Sequence, residues 1–143
     1  MATMAQIIRG HKRGLLGVQV DDTVYTALEK MAHHDVGAVA VFKGEAVAGL
    51  FTERDYARKV ILHDRSSRGA VVGDLMSPAM LVELDVSLQD AMAMMASGSP
   101  RVRYLVVVDG TRPVGIVSMG DLVKAQMSEQ EDAIHALERY ITG

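Results

Sequence analysis

The chain has 143 residues, 49% of them apolar, a formal net charge of −3 and no cysteine. That size and apolar content suffice for a real core, and without cysteine there are no disulfides, thiolate nucleophiles or cysteine-ligated metal centres. A slightly acidic chain with 4% aromatic residues lacks the basic stripe or stacking rings of a nucleic-acid binder, and no apolar run approaches the ~20 residues of a membrane span, so the expected setting is soluble, reducing and cytoplasmic.

The first stretch, "MATMAQIIRG", has no uninterrupted apolar core of the secretory type. The first twenty residues hold no acid and include Arg9, Lys12 and Arg13, a composition shared with organelle transit segments. Against that, "GLLGVQV" reads as a strand, which favours an ordered N-terminal arm. Residues 15–20 are extended and apolar. Thr23 then caps a helix whose Val24, Ala27, Leu28 and Met31 fall on one face. Residues 36–42 are nearly all apolar and valine-rich, as in a strand covered on both faces. "KGE" turns the chain into "AVAGLF", and "GLFTERD" at residues 49–55 leads into a second helix. "HDRSSRGAVVGDLMSP" is a polar connection in which Arg65 and Arg68 mark a short loop and Pro78 fixes the entry to the second half of the chain.

The second half is another copy of the same unit. "VQVDDTVYTALEKM" from Val18 matches "VELDVSLQDAMAMM" from Val82, an offset of 82 − 18 = 64. Val18 corresponds to Val82, Val24 to Leu88, Ala27 to Ala91 and Met31 to Met95. Two extra residues near "SGSP" raise the offset to 102 − 36 = 66, so that "VGAVAVF" matches "VRYLVVV" and "GLFTERD" matches "GIVSMGD" at 115–121. "DGTR" is the hairpin turn of this copy. Each copy reads as strand, helix, strand, strand, helix, an α/β unit too small to bury its sheet alone; the two are expected to pack sheet to sheet about a pseudo-two-fold axis. The predicted boundaries are 1–68 for the first unit with its arm, 69–127 for the second, and 128–143 for a closing helix. That helix starts with a capping-box pattern from Ser128 to Glu131 and carries an apolar face of Ile134, Leu137, Tyr140 and Ile141.

The repeated motif supports two readings. Thr52 with Asp55, and Ser118 with Asp121, have capping-box spacing, the hydroxyl accepting from a first-turn amide while the carboxylate faces the positive helix end. The same geometry suits a nucleotide: a glycine permits close approach, a helix N-terminus offers amides to phosphate, and an ionised carboxylate accepts both hydroxyls of a ribose.

Two tandem copies, each closing in glycine, two apolar residues, serine or threonine, two residues and aspartate, resemble a pair of cystathionine-beta-synthase-type (CBS) domains over residues 15–126. "VGDLMSP" and "RVRYLVVVDG" add to the likeness, and "ERDYARKVILHDRSSR" and "LERYITG" are similar to the flanks of small CBS-pair proteins. The resemblance implies a regulatory module that binds an adenine nucleotide, AMP or ATP, with NAD or S-adenosylmethionine as alternatives, and acts on a separate partner protein. Two other readings stand beside it, a purely structural interaction subunit and an enzyme acting on a nucleotide, the latter needing a general base or metal that the sequence does not display. The resemblance also implies a homodimer of two pairs in a flat disc, and no catalytic residue. Carried over, Thr52, Arg54 and Asp55 belong to one site, and Arg101, Arg103, Tyr104, Ser118, Met119 and Asp121 to the other. Tyr104 and Val106 replace the family's usual histidine and proline, and the basic residues of the two sites differ, so the sites are expected to be inequivalent. His33 and His34 are adjacent and do not share a helix face, which argues against a chelate; Met76, Met92, Met94 and Met95 are read as core filling.

Overall fold

The computed structural model describes residues 2–11, 14–98 and 102–142. In chain order they form α1 (Met4–Arg9), β1 (Gly17–Gln19), α2 (Val24–His34), β2 (Ala38–Lys43), β3 (Ala46–Thr52), α3 (Glu53–Asp55) running into a π-helical segment (Tyr56–Ile61), α4 (Val72–Leu75), β4 (Leu81–Glu83), α5 (Leu88–Ser97), β5 (Tyr104–Asp109), β6 (Arg112–Ser118) and α6 (Met119–Thr142). They divide into two compact units, Arg13–Met80, and Leu81–Gly143 together with Met1–Lys12.

In the first unit a three-stranded sheet has the order β1-β2-β3, with β1 parallel and β3 antiparallel to β2. The second unit repeats this as β4-β5-β6. The repeat holds residue by residue. Val18 pairs with Val41 as Val82 pairs with Val107, and each hairpin breaks register just after Val41 or Val107. Gly44 and Gly110 turn the hairpins at φ 68° and 64°, a conformation that costs glycine nothing. Thr23 and Ser87 cap α2 and α5 by accepting from the amides of Thr26 and Asp90, both at 3.1 Å.

Matching positions fill matching cores. Val18, Val24, Ala27, Met31, Val39, Val41 and Phe51 are buried in the first unit, and their counterparts Val82, Leu88, Ala91, Met95, Leu105, Val107 and Val117 in the second. Ala38 and Ala40 are buried as well, so β2 is covered on both faces. Of the methionines read as core, Met95 is fully buried and Met76, Met92 and Met94 half-buried.

Each unit is completed by a helical clip. In the first, Val72 N donates to Asp22 O and Gly73 N to Val20 O, both at 2.9 Å; in the second, Met4 N donates to Val86 O at 3.0 Å and Ala5 N to Leu84 O at 2.9 Å. The bridges Thr23–Val71 and Ser87–Thr3 match too. The first unit therefore takes its clip from the segment C-terminal to it, and the second from the N-terminal arm. This changes the domain organisation expected from the sequence: the arm folds with the second unit, because Met4 is fully buried there, and the first unit runs to Met80 because α4 belongs to it. The ordered helix α1 occupies the arm that also had a transit-segment composition.

The clips press close against both motif glycines, through backbone at Gly49 and through a flexible side chain at Gly115. A Cβ at Gly49 would lie 2.6 Å from Ser77 O and 2.9 Å from Met76 Sδ, and one at Gly115 would lie 2.5 Å from Ile8 Cδ1. Strand and clip are stitched at that point by mutual Leu50–Ser77 backbone bonds of 2.8 Å. Gly49→Ala should therefore lower stability by about 1–3 kcal/mol in urea unfolding, the usual cost of overpacking a fixed contact.

The closing helix also departs from expectation. No break occurs at Ser128; α6 runs unbroken through it. A serine three residues before a glutamate is also an ordinary helix-surface pair, and "SEQEDA" contains no glycine or proline to stop propagation.

Candidate functional site

In the first unit the motif opens α3. Thr52 Oγ1 accepts from Asp55 N at 3.0 Å and donates to Asp55 Oδ2 at 3.1 Å, while Thr52 N donates to the same oxygen at 3.0 Å. Asp55 Oδ1 accepts from Ser77 Oγ at 2.7 Å and lies 3.1 Å from Lys59 Nζ. Lys59 in turn donates to Leu75 O at 2.9 Å and to Ser77 Oγ at 3.1 Å. The Asp55 side chain is 8% exposed. Both oxygens of this carboxylate are used inside the unit, and its charge is matched by an ammonium held in place by the clip.

The second motif is built alike but satisfied differently. Ser118 N donates to Asp121 Oδ2 at 2.8 Å, and Ser118 Oγ accepts from Asp121 N at 3.1 Å. The counterpart of Lys59, at offset 66, is Ala125, and the counterpart of Ser77, at the clip offset of 71 − 3 = 68, is Arg9. Arg9 turns back on its own helix, Nε donating to Ala5 O at 3.3 Å. Among the described residues, Asp121 Oδ1 accepts no hydrogen bond and the Ser118 hydroxyl donates none. The Asp121 side chain is 29% exposed. Both groups sit at the N-terminus of the 24-residue α6, where unpaired amides and the helix dipole favour an anion.

One further side chain reaches this motif. His11 Nε2 lies 3.6 Å from Asp121 Oδ2, and that nitrogen is buried without a hydrogen-bond partner. Sequence reasoning passed over His11 because it falls in four extra residues between α1 and β1 (68 − 64 = 4) with no counterpart in the first unit. The signal that points to it is a weak third repeat: Met4, Ile7 and Ile8 match Val72, Leu75 and Met76.

A family model for the CBS domain matches residues 11–62 and again 72–128. The chain belongs to the CBS-domain family. It is 40% identical over 127 residues to the mitochondrial CBS domain-containing protein CBSX3 of Arabidopsis thaliana, covering 86% of this chain and 62% of that protein; the chain thus spans less than two thirds of this curated relative. A CBS-domain protein from Burkholderia ambifaria has the same fold with a TM-score of 0.83 and 40% identity, over 90% of this chain and 96% of that one. The CBS-domain protein PAE2072 of Pyrobaculum aerophilum, solved in complex with AMP, matches with a TM-score of 0.73 at 17% identity, over 84% and 89% of the two chains.

The remaining predicted residues sit at definite places within the two CBS repeats. Arg54 is exposed on α3. In the second repeat Arg103 is exposed and Tyr104 half-buried at the start of β5, and Arg103 O accepts from Met119 N at 3.2 Å, as Gly37 O accepts from Glu53 N at 3.0 Å. Arg103, Tyr104, Ser118, Met119 and Asp121 thus meet where β5 begins and β6 ends. Arg101 lies outside the described residues. His33 and His34 sit exposed at the end of α2, edge to face at 4.8 Å. Among the described residues no cluster of three or more metal-ligating side chains occurs, and no helix is long and apolar enough to cross a membrane.

Proposed function

We propose that the chain is a regulatory CBS pair that binds an adenine nucleotide, AMP or ATP, at the second motif and signals through a partner protein, with no catalysis of its own. The inequivalence of the two motif carboxylates carries this reading. Asp55 has its oxygens filled by Thr52, Ser77 and Lys59, whereas Asp121 keeps one oxygen without a partner among the described residues, next to a hydroxyl with a proton to give. That is the pair of groups a ribose and a phosphate require: carboxylate to diol, hydroxyl and helix amides to phosphate. Arg103, exposed beside them, supplies positive charge, and Tyr104 an aromatic face. The AMP in the Pyrobaculum structure supports an adenine ligand for this fold. NAD carries the same adenosine half and is the nearest competitor, with S-adenosylmethionine behind it. A cytoplasmic location belongs to the same proposal, set against the mitochondrial address of the Arabidopsis relative.

A thermal-unfolding series with AMP, ADP, ATP, NAD and S-adenosylmethionine tests it. A ligand at a hundred times its dissociation constant should add about 2.7 kcal/mol to stability, and AMP or ATP should give the largest rise. No rise with any of the five leaves both motifs as helix caps and the chain as a structural subunit.

A further inference from the structure

The two motif carboxylates have different cations beside them. Asp55 has Lys59 at 3.1 Å. Asp121 has Ala125 at the matching position, and the basic group near it is His11, with Nε2 3.6 Å from Oδ2. Lysine is charged at any physiological pH, whereas histidine gains and loses its charge within that range. The N-terminal arm holds the imidazole there. Met4 is fully buried and Ile8 packs over Gly115 of β6; α1 then ends with Gly10 N donating to Ile7 O at 3.1 Å and His11 N to Ile8 O at 3.0 Å. The His11 side chain is 14% exposed, and its Nε2 is buried without a hydrogen-bond partner among the described residues. Leaving a buried polar nitrogen unpaired is costly, and the oxygen beside it stands just beyond hydrogen-bond length. The contact is therefore poised to tighten when the ring takes a proton.

We propose that His11 is a positioning residue of the nucleotide site in the second repeat: once protonated it pairs with Asp121 and favours ligands in proportion to their phosphate charge. The inference rests on the assignment of the nucleotide to the second motif. A carboxylate that receives a ribose diol also repels the phosphate of the same ligand. With the imidazole neutral, the His11–Asp121 pair presents a negative charge to that phosphate; with it charged, the pair is neutral and the repulsion is cancelled. Oδ2 then accepts from Ser118 N and from the imidazole, and Oδ1, without a partner among the described residues, remains for the ribose. In the first repeat Lys59 neutralises Asp55 but occupies Oδ1 itself. Because Nε2 is buried, His11 acts through Asp121 and not on the ligand directly. The other charges on the arm and on the elements around it are engaged elsewhere or open to water. Arg9 folds back on Ala5 O, Glu129 of α6 accepts from the Ala2 amide, Arg112 of β6 lies 3.9 Å from Asp109, and Lys124, Asp85 and Arg103 are exposed. Proton and anionic nucleotide thus raise each other's affinity by the same factor. The gain is present at acid pH and is lost as pH rises through the titration of the imidazole.

Calorimetric titration of the parent, His11→Gln and His11→Lys with adenosine, AMP and ATP, at about pH 8 and about pH 5.5, tests this. Glutamine keeps an N–H donor without the charge, and lysine supplies a permanent one. Phosphate itself titrates at about pH 6, so the reading is the ratio of parent to variant affinity at each pH, in which the ligand's own protonation cancels. For AMP the ratio of parent to His11→Gln should be within about twofold at the higher pH and rise to about tenfold at the lower. ATP should show a larger rise and adenosine none. His11→Lys should bind AMP more tightly than the parent at the higher pH and equally at the lower. A ratio that stays flat for AMP and ATP, or that rises as much for adenosine, overturns the role of His11 and leaves the nucleotide site standing. No binding of any of the three by the parent overturns the site and this role with it.

Discussion

Asp55→Ala should cost the first repeat about 2–4 kcal/mol of stability while leaving adenine-nucleotide affinity within about twofold, a change below half a kcal/mol. Three losses add up to that cost. The capping box goes, worth about 1 kcal/mol. The 2.7 Å bond from Ser77 Oγ to Oδ1 goes, and as a hydrogen bond to a charged group it contributes about 1.5–3 kcal/mol. Lys59 also loses its counter-ion. Stranding a buried charge is the expensive part of breaking an ion pair, but Lys59 is 38% exposed and keeps Leu75 O and Ser77 Oγ as acceptors, so water absorbs part of the penalty. Because Ser77 and Leu75 belong to the end of the α4 clip, the loss also loosens the clip. Urea unfolding measures the stability, and calorimetric titration with AMP measures the affinity. A stability change under 1 kcal/mol together with a large loss of affinity would mean that Lys59 swings away on binding and that Asp55 takes the ribose.

The fold was legible because the repeat made it so: Val18 with Val82, Ala27 with Ala91 and Met31 with Met95 could be paired on paper, and all six are buried. The hairpin turns and the caps at Thr23 and Ser87 were legible too, since these are local devices read from a few adjacent residues. The exchange of clips was not. Met4, Ile7 and Ile8 form an apolar patch that says nothing about which sheet it will cover, and proximity in sequence favoured the wrong repeat. The seal on Asp55 was half legible: Lys59 sits four residues along the same helix, a spacing that brings side chains together, but Ser77 comes from 22 residues away and only the folded clip delivers it. The motif glycines were read as permitting close approach of backbone or ligand, and at Gly49 it is the backbone of the clip, Ser77 O, that comes close, while at Gly115 it is the Ile8 side chain. Ser128 misled because a capping pattern inside a good helix-forming stretch has nothing to terminate.

Asp121→Ala should behave in the opposite way, losing tenfold or more in nucleotide affinity, ~1.4 kcal/mol or above, for a stability loss of about 1 kcal/mol, the worth of a cap. The stability loss is small because the carboxylate receives one short bond, from Ser118 N at 2.8 Å, and its contact with His11 is beyond hydrogen-bond length at 3.6 Å. The affinity loss is large because a carboxylate with an unused oxygen is where a ribose diol gains most: each hydroxyl gives a charge-assisted bond of about 1.5–3 kcal/mol, and no internal lysine has to be displaced first. Asp121→Asn separates charge from shape. The amide keeps an acceptor for Ser118 N but has no charge to strengthen a bond to ribose, so stability should stay near parental while affinity falls nearly as far as with alanine. Titration with AMP on both variants, beside Asp55→Ala, decides between the sites. Equal losses at Asp55 and Asp121 would make the two repeats equivalent binders, and unchanged affinity at Asp121 would reduce the second motif to the start of α6.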